Sequence, residues 1–334
     1  MKKNILITGA SGFIGSFLVE EALNRNYQAF AGIRSASSKQ YLRDQAIRFL
    51  ELDFSNSHLL DMALAGYAKQ YGRFDYIIHT AGLTKTINKA EFDFVNFEHT
   101  KSLVQALQRN NLVPDKFVYI SSLASFGPGN GSDPITSTMA RQPLTEYGKS
   151  KLKAEQFLHA NPAFPFLIIN PTAVYGPRDK DFFFLLKSIE NHLELYIGSS
   201  EQLLSFVHVH DLVSAIFLSM ESAAFNQSLL VSDLQTYTAK KVNQLIKERL
   251  NKKTISLIIP PNVAGAFAVF SELIGNIRGK VPIVNRERLK EFKAKNWSVD
   301  CSEMVELGYE PKFNLEEGLS HSINWYKEQG WMKR

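Results

Sequence analysis

A single cysteine, Cys301, stands in 334 residues, so neither an intrachain disulfide nor a multi-cysteine metal site can form. A reducing compartment fits, and the cytoplasm is the expected location. Long apolar runs are scarce as well. The most apolar stretch, Ile255 to Ile274, is broken by Pro260-Pro261 and carries Glu272, which argues against a bilayer-spanning helix. A buried helix starting near Asn262 is expected there, with peripheral membrane contact as the alternative. Met1-Lys2-Lys3 leads into an apolar segment of about six residues, too short for a signal-peptide core. Despite a formal charge of +5, no long Lys/Arg block occurs. Arg278, Lys280, Arg286, Arg288, Lys290, Lys293 and Lys295 alternate with apolar residues, the pattern of a solvated helix face, with a nucleic-acid or lipid-headgroup patch as the alternative. Repeats and low-complexity segments are missing too.

What is present is alternation. Strand-like apolar runs at Asn4–Thr8, Ala29–Ile33, Ile47–Leu52, Asp75–His79, Lys116–Ser121 and Phe166–Asn170 are separated by helix-periodic stretches near 13–25, 56–70, 90–110 and 145–160. This βαβ order predicts an α/β fold, a doubly wound parallel sheet of the Rossmann type, with ligands outside the carboxyl ends of its strands. Residues 1–170 are assigned to a dinucleotide-binding domain. Residues 171–334 are assigned mainly to a smaller substrate-binding region, some segments of which return to the sheet. Gly198–Gln202 reads as a loop, and 315–329 as an amphipathic helix.

The first strand runs into Thr8-Gly9-Ala10-Ser11-Gly12-Phe13-Ile14-Gly15 and then a helix. Glycines let the backbone approach a pyrophosphate, and the helix N-terminus offers free N–H groups to the anion. Gly9, Ser11, Gly12, Phe13, Ile14 and Gly15 are therefore candidate coenzyme contacts. An NAD site would place an acid near the end of the second strand, yet no Asp or Glu occurs between Glu21 and Asp44. Arg34 stands there, followed by Lys39. A guanidinium could pair with a 2′-phosphate, so NADP is the preferred coenzyme and NAD the alternative.

Tyr147 and Lys151, four residues apart, share a helix face, and Ser122 ends a strand ahead of them. An ammonium beside a phenol favours the phenolate, which would draw Tyr147 down toward the range of a proton shuttle. Ser122 could bond the substrate oxygen as charge develops there. Loop and trio together point to a nicotinamide-dependent oxidoreductase. His208 and His210 have metal-like spacing, but a strand would put them on opposite faces; no metal is expected.

With these motifs the chain resembles the extended short-chain dehydrogenase/reductases of the NAD(P)-dependent epimerase/dehydratase superfamily. The likeness runs through Leu52-Asp53, His79–Leu83, Val95–Thr100, Ser121–Gly127, Tyr147–Lys151, Pro171–Pro177 and Ser205–Asp211. It implies that Asn96 is the helix-bending fourth member of a tetrad with Ser122, Tyr147 and Lys151. It implies further that Asp53 contacts the adenine, that Phe54, Thr80, Ala81 and Gly82 line the coenzyme, and that Pro171 and Thr172 border the nicotinamide. A homodimer through the helices near 90–110 and 145–160 is expected on the same ground.

Departures from the family pattern narrow the substrate. Leu123 and Ala124 follow Ser122 where sugar dehydratases of the family carry an Asp-Glu pair. Ala173 and Leu204 occupy the positions of an Asn and an Arg that reach the diphosphate in nucleotide-sugar enzymes. The chain is thus similar to the dihydroflavonol-reductase and hydroxysteroid-dehydrogenase side, and hydride exchange with a secondary alcohol, ketone or aldehyde of a small apolar molecule is expected. Leu83, Thr84, Leu123, Phe126 and Phe182 are the candidate substrate contacts. A nucleotide-sugar epimerase and a non-catalytic dinucleotide sensor are the alternatives.

Overall fold

In the computed structural model, which describes residues 2–278 and 285–333, each apolar run becomes a strand. These are β1 (Asn4–Thr8), β2 (Gln28–Ile33), β3 (Arg48–Glu51), β4 (Tyr76–His79), β5 (Lys116–Ile120) and β6 (Phe166–Pro171), joined by a seventh strand that the reading of the sequence did not place, β7 (Ser228–Val231). They form one parallel sheet in the order β7-β6-β5-β4-β1-β2-β3, so the last strand is returned by the C-terminal half.

Period-two alternation decides which side chain serves which face. Ile5, Ile7, Ile78, Val118, Ile120, Leu167 and Ile169 join one core cluster with helices Phe13–Asn24 and Val209–Glu221. Their neighbours Leu6, Ile77, Phe117, Tyr119, Phe166 and Ile168 join another with helices Ser57–Tyr71, His99–Arg109 and Glu146–His159. Covering both faces is what allows strands with scarcely a polar residue.

The phosphate-type loop shows why its glycines are glycines. Gly9 has φ +65°, and a Cβ there would lie 2.7 Å from the Ala81 nitrogen. A Cβ on Gly15 would lie 2.2 Å from the Gly9 carbonyl oxygen, so the helix packs directly on the turn.

The C-terminal half builds its own core from Tyr175, Phe182, Phe206, Tyr237, Leu319 and Tyr326. Its last helix, Leu315–Glu328, starts at a capping box between Asn314 and Glu317. Two expectations fail here. The strand Phe206–His208 stops at His208, which caps the following helix, so His208 and His210 do not take opposite faces. Their rings stack 5.4 Å apart, and His208 Nε2 lies 3.2 Å from His321 Nδ1. The helix Pro261–Arg278 is not buried either. Among its described side chains Ala264 and Ala268 are the buried ones, while Val263 and Phe267 are more than half exposed.

Among the described residues, no helix is long and apolar enough to cross a membrane, and no acid, His or Cys cluster could hold a metal ion. In the basic run, Arg286 pairs with Glu272, Arg288 with Asp181 and Lys290 with Glu287. Lys280 lies outside the described residues.

Candidate active site

The carboxyl ends of β1, β4, β5 and β6 bring the motifs together. Helix Phe13–Asn24 begins with no side-chain cap and no acid in its first turn, leaving its positive end open. The residues present therefore fit a dinucleotide diphosphate. Arg34 is exposed just past β2, while the Lys39 ammonium lies 4.1 Å over the Phe49 ring. Asp53 is exposed and accepts bonds from the Ser55 backbone N–H and hydroxyl. Asn56, not Asp53, caps the next helix. Phe54 sits against the rings of His79 and His99. The Thr80 hydroxyl donates to the Thr8 carbonyl, and Thr172 is buried with its N–H and hydroxyl on the Val231 carbonyl.

Asn96 is fully buried in a π-helical turn, Asp93–Glu98, set between two α-helical segments. Its side-chain oxygen accepts from the Leu83 N–H at 2.7 Å, and its amide donates to the Leu83 carbonyl and to Ser150 Oγ, each at 3.0 Å. One residue thus ties the loop after β4 to the helix that carries Tyr147 and Lys151. A Cβ on Gly82 would meet Asn96 Oδ1 at 3.1 Å and Lys151 Nζ at 3.4 Å, so this glycine marks where the groups converge.

A second chain of bonds reaches the same place from the phosphate loop. The Ala81 N–H donates to Thr8 Oγ1, which lies 2.7 Å from His79 Nδ1; His79 Nε2 lies 3.0 Å from Thr100 Oγ1, which donates to the Asn96 carbonyl. Burial holds His79 neutral, its pKa lowered to about 3. One tautomer, with the proton on Nε2, satisfies every member.

The acid–base pair departs from expectation. Burial pushes the Tyr147 phenol up to about 12, against the pull of the Ser122 hydroxyl beside it and with the Glu291 and Glu155 carboxylates adding to the rise. The same burial lowers Lys151 to about 8, although Glu155 works the other way. Lys151 Nζ donates to the Ile120 carbonyl at 2.8 Å. Desolvation outweighs adjacency, so the ammonium does not acidify the phenol here.

A pH dependence of stability follows. The folded Lys151 value lies below the usual 10.5, so between about 8 and 10.5 the unfolded chain holds a proton that the folded chain lacks. Stability rises with pH through that window, and the full penalty applies below it. Lys151→Met is expected to stabilise the coenzyme-free protein at neutral pH by about 2–3 kcal/mol. In urea denaturation the gain should shrink as pH passes 8.

A cleft of about 260 Å³ opens beside Tyr147, lined by Thr84, Lys85, Phe92, Glu272, Arg288 and Glu291 among others. Of the candidate substrate contacts, Thr84 lines it and Leu83 adjoins it. Leu123, Phe126 and Phe182 do not; all three are core residues, Phe126 lying beneath the Arg141 guanidinium at 3.7 Å. The cleft is also more charged than expected, because Lys85 and Arg288 meet Asp181 and Lys89 meets Glu287 across it. Glu287 accepts from the Glu146 N–H at 2.7 Å, docking the segment 286–293 on the helix that carries Tyr147 and Lys151. A larger hollow of about 440 Å³, between Tyr41, Arg178 and Trp325, shares no residue with this cleft.

Glu155 and Arg141 escaped the reading of the sequence. Glu155 is buried one turn beyond Lys151, pairs with Arg141, and accepts from Ser121 Oγ and from Asn170 Nδ2. Its spacing of four from Lys151 on an otherwise amphipathic helix was the available signal.

Known proteins resemble this chain along nearly its whole length. An N-acetyl-alpha-D-glucosaminyl-diphospho-ditrans,octacis-undecaprenol 4-epimerase from Escherichia coli O157:H7 is 26% identical, over 97% of this chain and 96% of its own. A ceramide reductase from Caulobacter vibrioides is 24% identical, over 99% and 96%. UDP-glucose 4-epimerase from Thermotoga maritima superposes with a TM-score of 0.79 at 20% identity, covering 98% of this chain and 99% of its own, and so shares the fold. The family model for NAD dependent epimerases and dehydratases matches residues 5–229. The chain belongs to the NAD dependent epimerase/dehydratase family, within the extended short-chain dehydrogenases/reductases.

Proposed function

We propose that this chain is a nicotinamide-dependent oxidoreductase that interconverts a secondary alcohol and a ketone, or an aldehyde, on a substrate with a long apolar body. Asn96 and Lys151 converging on Gly82, with the Ser122 hydroxyl beside the Tyr147 phenol on the same helix as Lys151, support this reading. The coenzyme, when bound, gives or takes the hydride. Tyr147 delivers its proton to the carbonyl oxygen in reduction and recovers it in oxidation. Ser122 donates a hydrogen bond to that oxygen. Lys151 holds positive charge beneath the phenol, and Asn96 fixes the loop against which the substrate lies. Gly9, Ser11, Gly12, Phe13, Ile14 and Gly15 would hold the pyrophosphate. Asp53 and Phe54 would flank the adenine, with Thr80, Ala81 and Gly82 along the ribose and Pro171 and Thr172 at the nicotinamide.

The apolar body is supported by the names of two relatives, which act on a ceramide and on an undecaprenol-linked sugar. NADP is preferred because Arg34 is exposed past β2 and its guanidinium has no partner among the described residues. Arg34→Asp should weaken NADPH binding by about 10–100-fold, the loss of a charge-assisted phosphate contact, and leave NADH nearly unchanged. Titration of both coenzymes by fluorescence checks this; equal loss for both would remove the NADP assignment.

Lys85, Lys89, Arg286 and Arg288 around the cleft favour a second reading, a 4-epimerase acting on a diphosphate-bearing sugar. Epimerisation consumes no net coenzyme. Stoichiometric NADPH oxidation on a ketone supports the reductase; none, with UDP-sugar binding by calorimetry, supports the epimerase.

A further inference from the structure

The region that disagreed most with expectation is a two-stranded parallel sheet and the helix after it. Strand Leu193–Ile197 pairs with Ile255–Ile259 in the register Ile255↔Leu193, Leu257↔Leu195 and Ile259↔Ile197. Those six side chains share one face. Helix Pro261–Arg278 packs Ala264 and Ala268 on one end of it, at Ile197 and Ile259, together with Leu289. The rest stays in water: Leu193 is 40% exposed, Leu195 43%, Ile255 66% and Leu257 46%. The helix continues that surface with Val263 and Phe267, each 58% exposed and one turn apart. Scattered exposed leucines are ordinary, but an aliphatic face continuous from a sheet to a helix marks a contact surface.

Its charge identifies what it contacts. Lys252 and Lys253 lead into the second strand, and Lys293 and Lys295 follow on the segment packed against the helix. None of the four forms an ion pair among the described residues. A second copy of the chain, brought face to face about a twofold axis, would bring two such lysine-bearing faces together. A bilayer with anionic headgroups satisfies both parts, taking the aliphatic side chains at the acyl boundary and the lysines at the phosphates.

We infer that this face docks on an anionic membrane surface, which makes the chain a peripheral enzyme of lipid substrates. The inference deepens the reading of an apolar substrate and rests on it. The helix that carries Val263 and Phe267 on its outside also contributes Glu272 to the cleft with Tyr147. A lipid could therefore pass its polar head to the phenol while its chains remain in the bilayer.

The test is sedimentation of the purified full chain with phosphatidylcholine vesicles, with and without phosphatidylglycerol. Wild type is expected to bind the anionic vesicles and to release in high salt. Leu257→Asp with Phe267→Asp should lower the bound fraction by about tenfold or more, since each removes a large apolar anchor. Lys252→Glu with Lys253→Glu should abolish the preference for phosphatidylglycerol. Both variants should keep NADPH binding and turnover of a water-soluble ketone, which shows that they fold. No vesicle binding, binding indifferent to these substitutions, or a dimer that the aspartates dissociate would overturn the inference. Because binding is read without turnover, its failure is separable from failure of the reductase reading, which would appear as absent hydride transfer.

Discussion

Tyr147→Phe is expected to lower kcat by about 10²–10⁴-fold, the range of a positioned acid–base group, while the Kd for NADPH moves less than about twofold. Phenylalanine keeps the ring that stands edge-on to Phe92 at 6.0 Å, so the cleft wall survives and only the hydroxyl is lost. Ser122 is not expected to replace it, because an alcohol hydroxyl donates a hydrogen bond to the substrate oxygen without giving up its proton. Single-turnover mixing with a ketone separates the step: coenzyme binding should be normal and hydride transfer slow. Unchanged turnover would mean that the proton comes from elsewhere, and the role given to Tyr147 would fall. The phenol's rise to about 12 sharpens the experiment. A group so hard to ionise releases its proton only as negative charge grows on the substrate oxygen, so transfer of proton and hydride should be tightly coupled.

The sheet was legible because its strands are buried on both faces, and a run such as Ile5-Leu6-Ile7 admits few other readings. The glycine loop was legible for the same reason, since the short distances at Gly9 and Gly15 tolerate no side chain. What misled was environment. Tyr147 and Lys151 lie on one helix turn as spacing requires, yet their proton affinities depend on burial that no spacing reveals. Phe126 and Phe182 looked like pocket walls because aromatic residues serve cores and pockets alike. His208 and His210 were misplaced because the strand stops at His208, two positions short of His210, and a helix begins at Val209. In the helix expected from near Asn262, hydrophobicity was read as burial, whereas Val263, Phe267 and Val269 face water.

The same limit hid Glu155, whose loss should carry the largest stability effect. Glu155→Ala leaves the partly buried Arg141 guanidinium over Phe126 without its carboxylate, and Ser121 and Asn170 without their acceptor. Removing one partner of a buried ion pair costs about 3–5 kcal/mol, and urea denaturation should show a lower midpoint at constant slope. Arg141→Met with Glu155→Met removes both charges and should recover most of the loss. Catalysis divides the two variants from wild type in another way. Glu155 is the charge that raises Lys151 against its burial, so without it Lys151 titrates below its present value of about 8. Its ammonium is then lost at lower pH, and the high-pH limb of kcat should move toward acid in both variants. If stability returned in the double variant and the pH profile returned with it, Glu155 would be a brace for the helix alone. A profile that stays shifted while stability recovers would show that one carboxylate both docks the catalytic helix and sets the charge on Lys151.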